Sequence, residues 1–200
     1  MARRSDHSRD EIKEMALVAG ERIIEEEGYK ALTARRVSSA IGYTVGSLYL
    51  VFSNLDDLRL QINARTLDQL LSCLDAVIKH SNSPEDCIKK LAREYYRFVQ
   101  SNELRWLMIF EHKLPKGVET PSWYVNHIAK LFECIDKQFY SLDRTKAQTE
   151  SEMAARALWS GVHGICILAS TGKLGVASVE TVEPVVDVLV DNFLTGWAAV

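Results

Sequence analysis

The sequence predicts an all-α protein, and three observations carry that prediction. Apolar residues recur at helical spacing through almost every segment, and only four prolines interrupt the chain. Capping residues and glycines punctuate the pattern, so that about nine helices are expected. The short alternating stretch LGVASVETV (174–182) could pass for a strand, but it is predicted to be a connection.

The first helix is predicted to lie between Ser8 as its N-terminal cap and Gly28 as its stop. Asp10 and Glu11 suit the positive N-terminal end of the helix dipole. The three glutamates at 25–27 would lie at the unfavourable C-terminal end, so we expect them to form a solvated turn.

Two short helices joined by a tight turn come next. The second helix is predicted from a Thr33 cap to Gly42, and the third from Thr44 to about Phe52. These are the proportions of a helix-turn-helix. The apolar anchors of a small three-helix core are expected to be Val37, Ile41, Leu48 and Phe52.

Six further helices are predicted in the rest of the chain. Pro84, Pro121 and Pro184 suit the starts of helices, and Pro115 ends one. The predicted spans are about 54–80, 84–101, 103–112, 121–140, 145–171 and 184–197.

Composition excludes several classes of protein. No apolar run approaches the roughly 20 residues of a membrane span, and no secretory signal is recognisable, so a cytoplasmic protein with reduced cysteines is expected. No sequence motif of a hydrolase, metalloprotease, P-loop or dinucleotide-binding enzyme occurs. The adjacent Glu111 and His112 would diverge on a helix. No catalytic residue, metal ligand or cofactor is therefore predicted.

The uncharged third helix is suited to the major groove of DNA. The side chains left partly free of the core are Thr44, Val45, Ser47 and Tyr49, whose hydroxyls and methyls can contact bases and phosphates. The formal net charge is −3, so attraction to DNA must come from a local concentration of positive charge. The arginines that could supply it are Arg35 and Arg36, with Arg3, Arg4 and Arg9 on an N-terminal arm.

The run from Ile12 to Leu58 resembles the N-terminal domain of the TetR family of transcriptional regulators. The features that match are the Gly28–Tyr29 helix end, the spacing of Thr33 and Val37, the 40–42 turn and the segment TVGSLYLVF (44–52).

The resemblance implies a dimeric, all-helical regulator whose third helix contacts operator DNA. It places Thr33 beside a phosphate, Arg35 toward DNA, Thr44 and Ser47 at the recognition helix and Tyr49 on the backbone. Two positions depart from the family pattern, because Val51 and Leu55 replace residues that usually contact phosphates.

The stretch LWSGVHGICILASTG (158–172) looks like the WHG-type C-terminal domain of some family members, through Trp159, His163 and Gly164. Gly161 and Gly164 would each cost roughly 1 kcal/mol in mid-helix, so close approach of another helix is expected. The last two helices are predicted to form a four-helix homodimer interface; packing within the chain is the alternative.

These observations divide the chain into a helix-turn-helix domain (1–54) and a ligand-binding and dimerisation domain (55–200). The expected function is that of a ligand-responsive repressor that leaves its operator when a small hydrophobic or aromatic molecule binds. The alternatives are activation, and a ligand-binding helical protein with weakened DNA binding. The candidate effector residues are Trp106, Phe110, Trp123, His127, Trp159 and His163. Aromatic residues at helical spacing are more often part of a core, and such histidines more often lie in the core or at the surface than at a ligand.

Overall fold

A computed structural model describes residues 7–175 and 181–199 of the chain. Over these residues the structure contains nine α-helices and no strand, which confirms the all-α prediction. Arg3, Arg4 and most of the 174–182 stretch lie outside the described residues. The helices are α1 (Arg9–Glu27), α2 (Ala34–Ala40), α3 (Val45–Leu48), α4 (Leu55–Lys79), α5 (Pro84–Ser101), α6 (Glu103–Glu111), α7 (Ser122–Leu142), α8 (Gln148–Ser170) and α9 (Glu183–Ala199).

The predicted caps of α1 are confirmed. The Ser8 hydroxyl accepts a hydrogen bond from the Glu11 backbone N–H at 3.2 Å, and the Glu11 carboxylate accepts one from the Ser8 N–H at 2.7 Å. This reciprocal pair satisfies two N–H groups that the helix itself leaves without partners. Gly28 ends the helix with a φ of 81°, a conformation that disfavours side chains larger than glycine.

The glutamates at the end of α1 differ from the expectation of a solvated turn. Residues 25–27 remain helical, and each has an arginine within ion-pairing distance. Glu25 pairs with Arg105 of α6, and Glu27 pairs with Arg36 of α2. These arginines offset the repulsion between the carboxylates and the negative C-terminal end of the helix.

The third and eighth helices are shorter than predicted. α3 ends at Leu48 and not at Phe52, because the following chain tightens into turns in which the Leu50 N–H donates to the Ser47 carbonyl at 3.2 Å. α8 begins at Gln148 and not at Thr145, because the Asp143 carboxylate accepts from both the backbone N–H and the hydroxyl of Thr145. That pair of hydrogen bonds holds a turn ahead of the helix.

The described residues form two compact units. The first unit comprises residues 7–66 and 102–124, and the second comprises 67–101, 125–175 and 181–199. This division follows packing, whereas the functional boundary between residues 54 and 55 stays a prediction. The core of the first unit consists of Ala16, Leu17, Ile23, Ile24, Leu32, Val37, Leu48, Phe52, Leu58, Ile62 and Met108.

The second unit is built on α5, which packs against both α8 and α9. Its buried side chains include Ile88, Leu91, Val99, Phe139, Leu158, Val162, Val186 and Val190. Three ion pairs border the contact of α5 with α9: Lys89 with Asp191 at 2.9 Å, Arg93 with Asp187 at 2.6 Å and Arg97 with Glu183 at 3.0 Å. The spacing of four residues on both helices puts each set of charges on one face. These pairs specify an antiparallel alignment more than they add stability, since all are partly exposed.

The four cysteines are free thiols, as predicted, with Cys87 and Cys166 buried and Cys73 and Cys134 half-buried. Burial raises the pKa of the Cys166 thiol to about 12, so that this group stays protonated and unreactive. Among the described helices, none is both long and apolar enough to cross a membrane. Within the same residues no cluster of His, Cys, Asp and Glu could hold a metal ion.

Candidate DNA interface and effector residues

The helix-turn-helix is organised by side-chain caps and by a glycine turn. Thr33 accepts a hydrogen bond from the Arg36 N–H at 3.3 Å and caps α2, and Thr44 accepts one from the Ser47 N–H at 3.1 Å and caps α3. Between the helices, Gly42 has a φ of 74°. The turn therefore uses a backbone conformation that costs glycine little.

The anchors of the helix-turn-helix are buried where the sequence predicts them. Val37, Leu48 and Phe52 are at most 2% exposed, and Ile41 is half-buried against the same core. Because α3 has only four residues, its position depends on these contacts and not on its own hydrogen bonds.

The structure places all seven predicted DNA-contacting residues at or near the surface. Val45 and Ser47 are half-buried, and the others are exposed, with Tyr49 at 45%. Their roles stay predictions, but their side chains are available to a ligand outside the core. The exposed members are Thr33, Arg35, Arg36, Thr44 and Tyr49.

The two arginines of α2 have different surroundings. Among the described residues no acidic side chain lies within ion-pairing distance of Arg35, whereas the Arg36 guanidinium binds both carboxylate oxygens of Glu27. The hydrogen bonds of this contact raise the pKa of Arg36 and lower the pKa of Glu27, because they stabilise the ionised form of each group, and the opposite charges add to the effect. Glu27 is thus a residue of this surface that sequence reasoning missed, since nine positions separate it from Arg36.

The two departures from the family pattern, Val51 and Leu55, are half-buried and pack against the core of the first unit. They therefore contribute apolar contacts where the family usually has polar groups directed at phosphates. Leu50, which no sequence pattern indicates, is 66% exposed beside Tyr49. The one feature of the sequence that could have indicated its exposure is its position between the exposed Tyr49 and the buried Phe52.

Three of the predicted effector residues belong to the first unit. Trp106 is 1% exposed and lies with its ring centroid 5.0 Å from that of Phe110, which is 39% exposed. Trp123 is 38% exposed and meets the buried Tyr124 edge to face. The burial of Trp106 favours a role in the core of this unit.

The other three belong to the second unit. Trp159 and His163 stack with centroids 4.9 Å apart, which confirms that they share a face of α8. The His163 Nδ1 lies 2.9 Å from the Tyr95 hydroxyl, and burial lowers the pKa of the imidazole. The Nδ1 atom of His127 lies 2.8 Å from the Asp68 carboxylate. Of the two surface grooves described, about 670 Å³ and 540 Å³ in volume, neither is lined by any of the six residues.

The two glycines of α8 have different roles. A Cβ on Gly161 would lie 2.8 Å from the Leu189 side chain, so the expected close approach of another helix is supplied by α9 of the same chain. A Cβ on Gly164 would meet nothing within 4 Å. Packing within the chain thus explains Gly161 but leaves Gly164 without a structural reason.

The short helix α3 is held by buried anchors and presents exposed side chains next to the arginines of α2. In an all-helical structure, this arrangement defines a helix-turn-helix DNA-binding regulator. Comparison with known families makes this assignment specific. Residues 16–62 match the model of the bacterial regulatory proteins of the tetR family, and residues 88–193 match a tetracyclin repressor-like C-terminal domain. The chain belongs to the TetR family of transcriptional regulators. The WHG type of its C-terminal domain stays a prediction.

Relatives of known sequence or structure agree with this assignment. The chain is 25% identical over 177 residues to the uncharacterized HTH-type transcriptional regulator Rv0681 of Mycobacterium tuberculosis, covering 87% of this chain and 75% of that protein. A protein of unknown function from Rhodococcus sp. RHA1 has the same fold, with a TM-score of 0.80, 17% identity and 98% of both chains covered. The TetR family regulator PfmR from Thermus thermophilus also shares it, with a TM-score of 0.63, 15% identity, and 90% and 97% coverage.

Proposed function

We propose that this regulator is a homodimeric repressor that acts in the cytoplasm and binds an operator through Thr33, Arg35, Arg36 and the 44–49 segment. The observation that carries the proposal is that the predicted contact residues reach the surface while Leu48 and the other anchors are buried. Thr33, Arg35, Arg36, Thr44 and Tyr49 are exposed, and Val45 and Ser47 are half-buried. Two recognition elements in a dimer would meet half-sites roughly 34–36 Å apart, or at a related interval. The family resemblance favours repression of transcription over activation.

Arg35→Ala tests the DNA surface. Arg35 has no acidic partner among the described residues, so we expect it to neutralise one phosphate. The variant should bind the DNA that flanks its own gene more weakly, and the slope of log K against log salt should fall by about 0.9. Fluorescence anisotropy at several salt concentrations measures both quantities.

Arg144→Ala is the matched control for this measurement, because Arg144 is an exposed arginine of the second unit. It should leave affinity and slope unchanged. If wild-type protein binds the flanking DNA no better than random duplex, operator binding is disproved.

The dimer surface is proposed to lie on α8 and α9. Three large apolar side chains are exposed there, Met153 at 64%, Leu168 at 42% and Val188 at 61%. Gly164 has open space around it, which suits the approach of a helix from a second copy. A partner subunit that packs on α8 and α9 would cover these apolar side chains.

Val188→Glu tests this surface. Because Val188 is exposed in the single chain, the variant should fold normally but weaken dimerisation by more than about tenfold, which corresponds to only 1.4 kcal/mol. Analytical ultracentrifugation gives the dimer dissociation constant, and operator affinity should fall in parallel. Val125→Glu alters a valine of α7 that is 47% exposed and should leave the dimer intact. Equal effects of the two variants would contradict the placement of the interface.

The effector is proposed to be a hydrophobic or aromatic small molecule, and Trp159 and His163, with Phe132 and Tyr95 beside them, are its best-supported contacts. A ligand with a long apolar chain is supported by a protein of this fold, because FadR from Bacillus subtilis, with a TM-score of 0.67 and 12% identity, was crystallised in complex with stearoyl-CoA. An effector can release the operator only if it binds the DNA-free conformation more tightly than the DNA-binding one. The difference between these two affinities limits the size of its effect. A screen of acyl-CoA thioesters and aromatic acids for loss of operator anisotropy tests this part.

A second candidate is a ligand-binding protein with weakened DNA binding. It is favoured by Val51 and Leu55, which pack against the core and present no donor to a phosphate. Failure of Arg35→Ala and Tyr49→Phe alike to alter DNA binding would support this candidate over the repressor.

A further inference from the structure

The contact between Glu27 and Arg36 has the geometry of phosphate recognition. One guanidinium nitrogen of Arg36, Nη1, donates to Oε2 of Glu27 at 2.7 Å, and the other, Nη2, donates to Oε1. Two parallel N–H donors on two oxygens form the bidentate pair that arginine makes with both carboxylates and phosphates. The Glu27 carboxylate therefore occupies the donors that a DNA phosphate would use.

The position of Arg36 makes this occupation relevant to DNA. Arg36 belongs to the first turn of α2, its N–H donates to the cap Thr33, and it follows Arg35 directly. Its side chain is 42% exposed and that of Glu27 is 46% exposed, so water and ions reach the pair. An exposed ion pair is weakly held and can exchange one partner for another.

We propose that Glu27 is an internal competitor of the DNA backbone, which holds Arg36 in the free protein and must release it before Arg36 binds a phosphate. This inference rests on the proposed function, since it concerns how the same surface binds its operator. Glu27 lowers the affinity for every DNA sequence, because a phosphate contact carries no sequence information. Arg35, which lacks such a competitor among the described residues, binds its phosphate without that cost.

A double-mutant cycle tests the competition. Glu27→Gln keeps the size of the side chain but removes its charge, and we expect operator affinity to rise about two- to fivefold, the range of an exposed ion pair. In an Arg36→Ala background the same substitution should change affinity by less than about twofold, because the pair is already broken. Arg36→Ala alone should lower the salt slope by about 0.9, because one phosphate contact is lost.

Glu26→Gln is the matched control, because Glu26 is the neighbouring exposed residue of α1 and lies 3.9 Å from Arg22. It removes the same charge and should raise affinity less than Glu27→Gln does. An equal gain with and without Arg36 would mean that Glu27 acts by general repulsion, and a loss of affinity would mean that it positions Arg36 for DNA. Either result overturns the proposal. Absence of operator binding by every variant would instead disprove the proposed function.

Discussion

Phe52→Ala is expected to lower the free energy of unfolding by about 3–5 kcal/mol, the range for removal of a large buried aromatic side chain. Phe52 is 2% exposed in the core of the first unit, four residues after Leu48. The turns between them, in which the Val51 and Phe52 N–H groups donate to the Leu48 carbonyl, tie the end of α3 to this anchor. Urea denaturation followed by circular dichroism measures the loss. Operator binding should disappear as well, because α3 is too short to keep its position alone.

Leu50→Ala is the control for this prediction, since Leu50 lies two residues earlier and is 66% exposed. Its effect on the free energy of unfolding should stay within about 0.5 kcal/mol. If Phe52→Ala is no more destabilising than Leu50→Ala, the core described for the helix-turn-helix is incorrect.

Trp106→Ala is expected to have an effect of similar size, again about 3–5 kcal/mol. Trp106 is 1% exposed in α6, and the neighbouring Met108 belongs to the core that also anchors α3. Removal of the indole would leave a cavity that the surrounding side chains fill only in part. Thermal and urea unfolding both report the change.

Trp123→Ala provides the comparison, because Trp123 lies in the same unit but is 38% exposed. This variant should lower the free energy of unfolding much less than Trp106→Ala does. If Trp106→Ala lowers the free energy of unfolding only slightly, the prediction that Trp106 contacts an effector is favoured. The distinction matters because a residue that only contacts an effector can be replaced with little loss of stability, whereas replacement of a core residue lowers the free energy of unfolding.

The helices could be predicted from the sequence because the residues that define them lie close together along the chain. Ser8, Gly28, Thr33 and Thr44 all lie where the structure places helix ends, since caps act on backbone groups within one turn. The ends of α3 and α8 were misplaced for the converse reason. After α3 the chain forms turns whose hydrogen-bond spacing is close to that of a helix. Before α8 the Asp143 side chain holds a turn by its hydrogen bonds to Thr145.

The candidate site was less predictable, because contacts between helices determine which side chains are paired and which are buried. Nothing near Arg36 in the sequence indicates that Glu27 binds its guanidinium, and nothing near Trp106 separates a core aromatic from one that contacts a ligand. Gly161 and Gly164 look alike in sequence, yet only Gly161 is explained by packing against Leu189.

By itself, the sequence determined the all-helical class, the order of the helices, the buried anchors of the helix-turn-helix and the outward position of Tyr49. Periodicity and capping depend on residues within a few positions of one another, so they can be recognised without a structure. Only the tertiary structure decided which charges face each other and which aromatic side chains are buried. Those properties depend on the distances between helices, which are set by the packing of the whole unit.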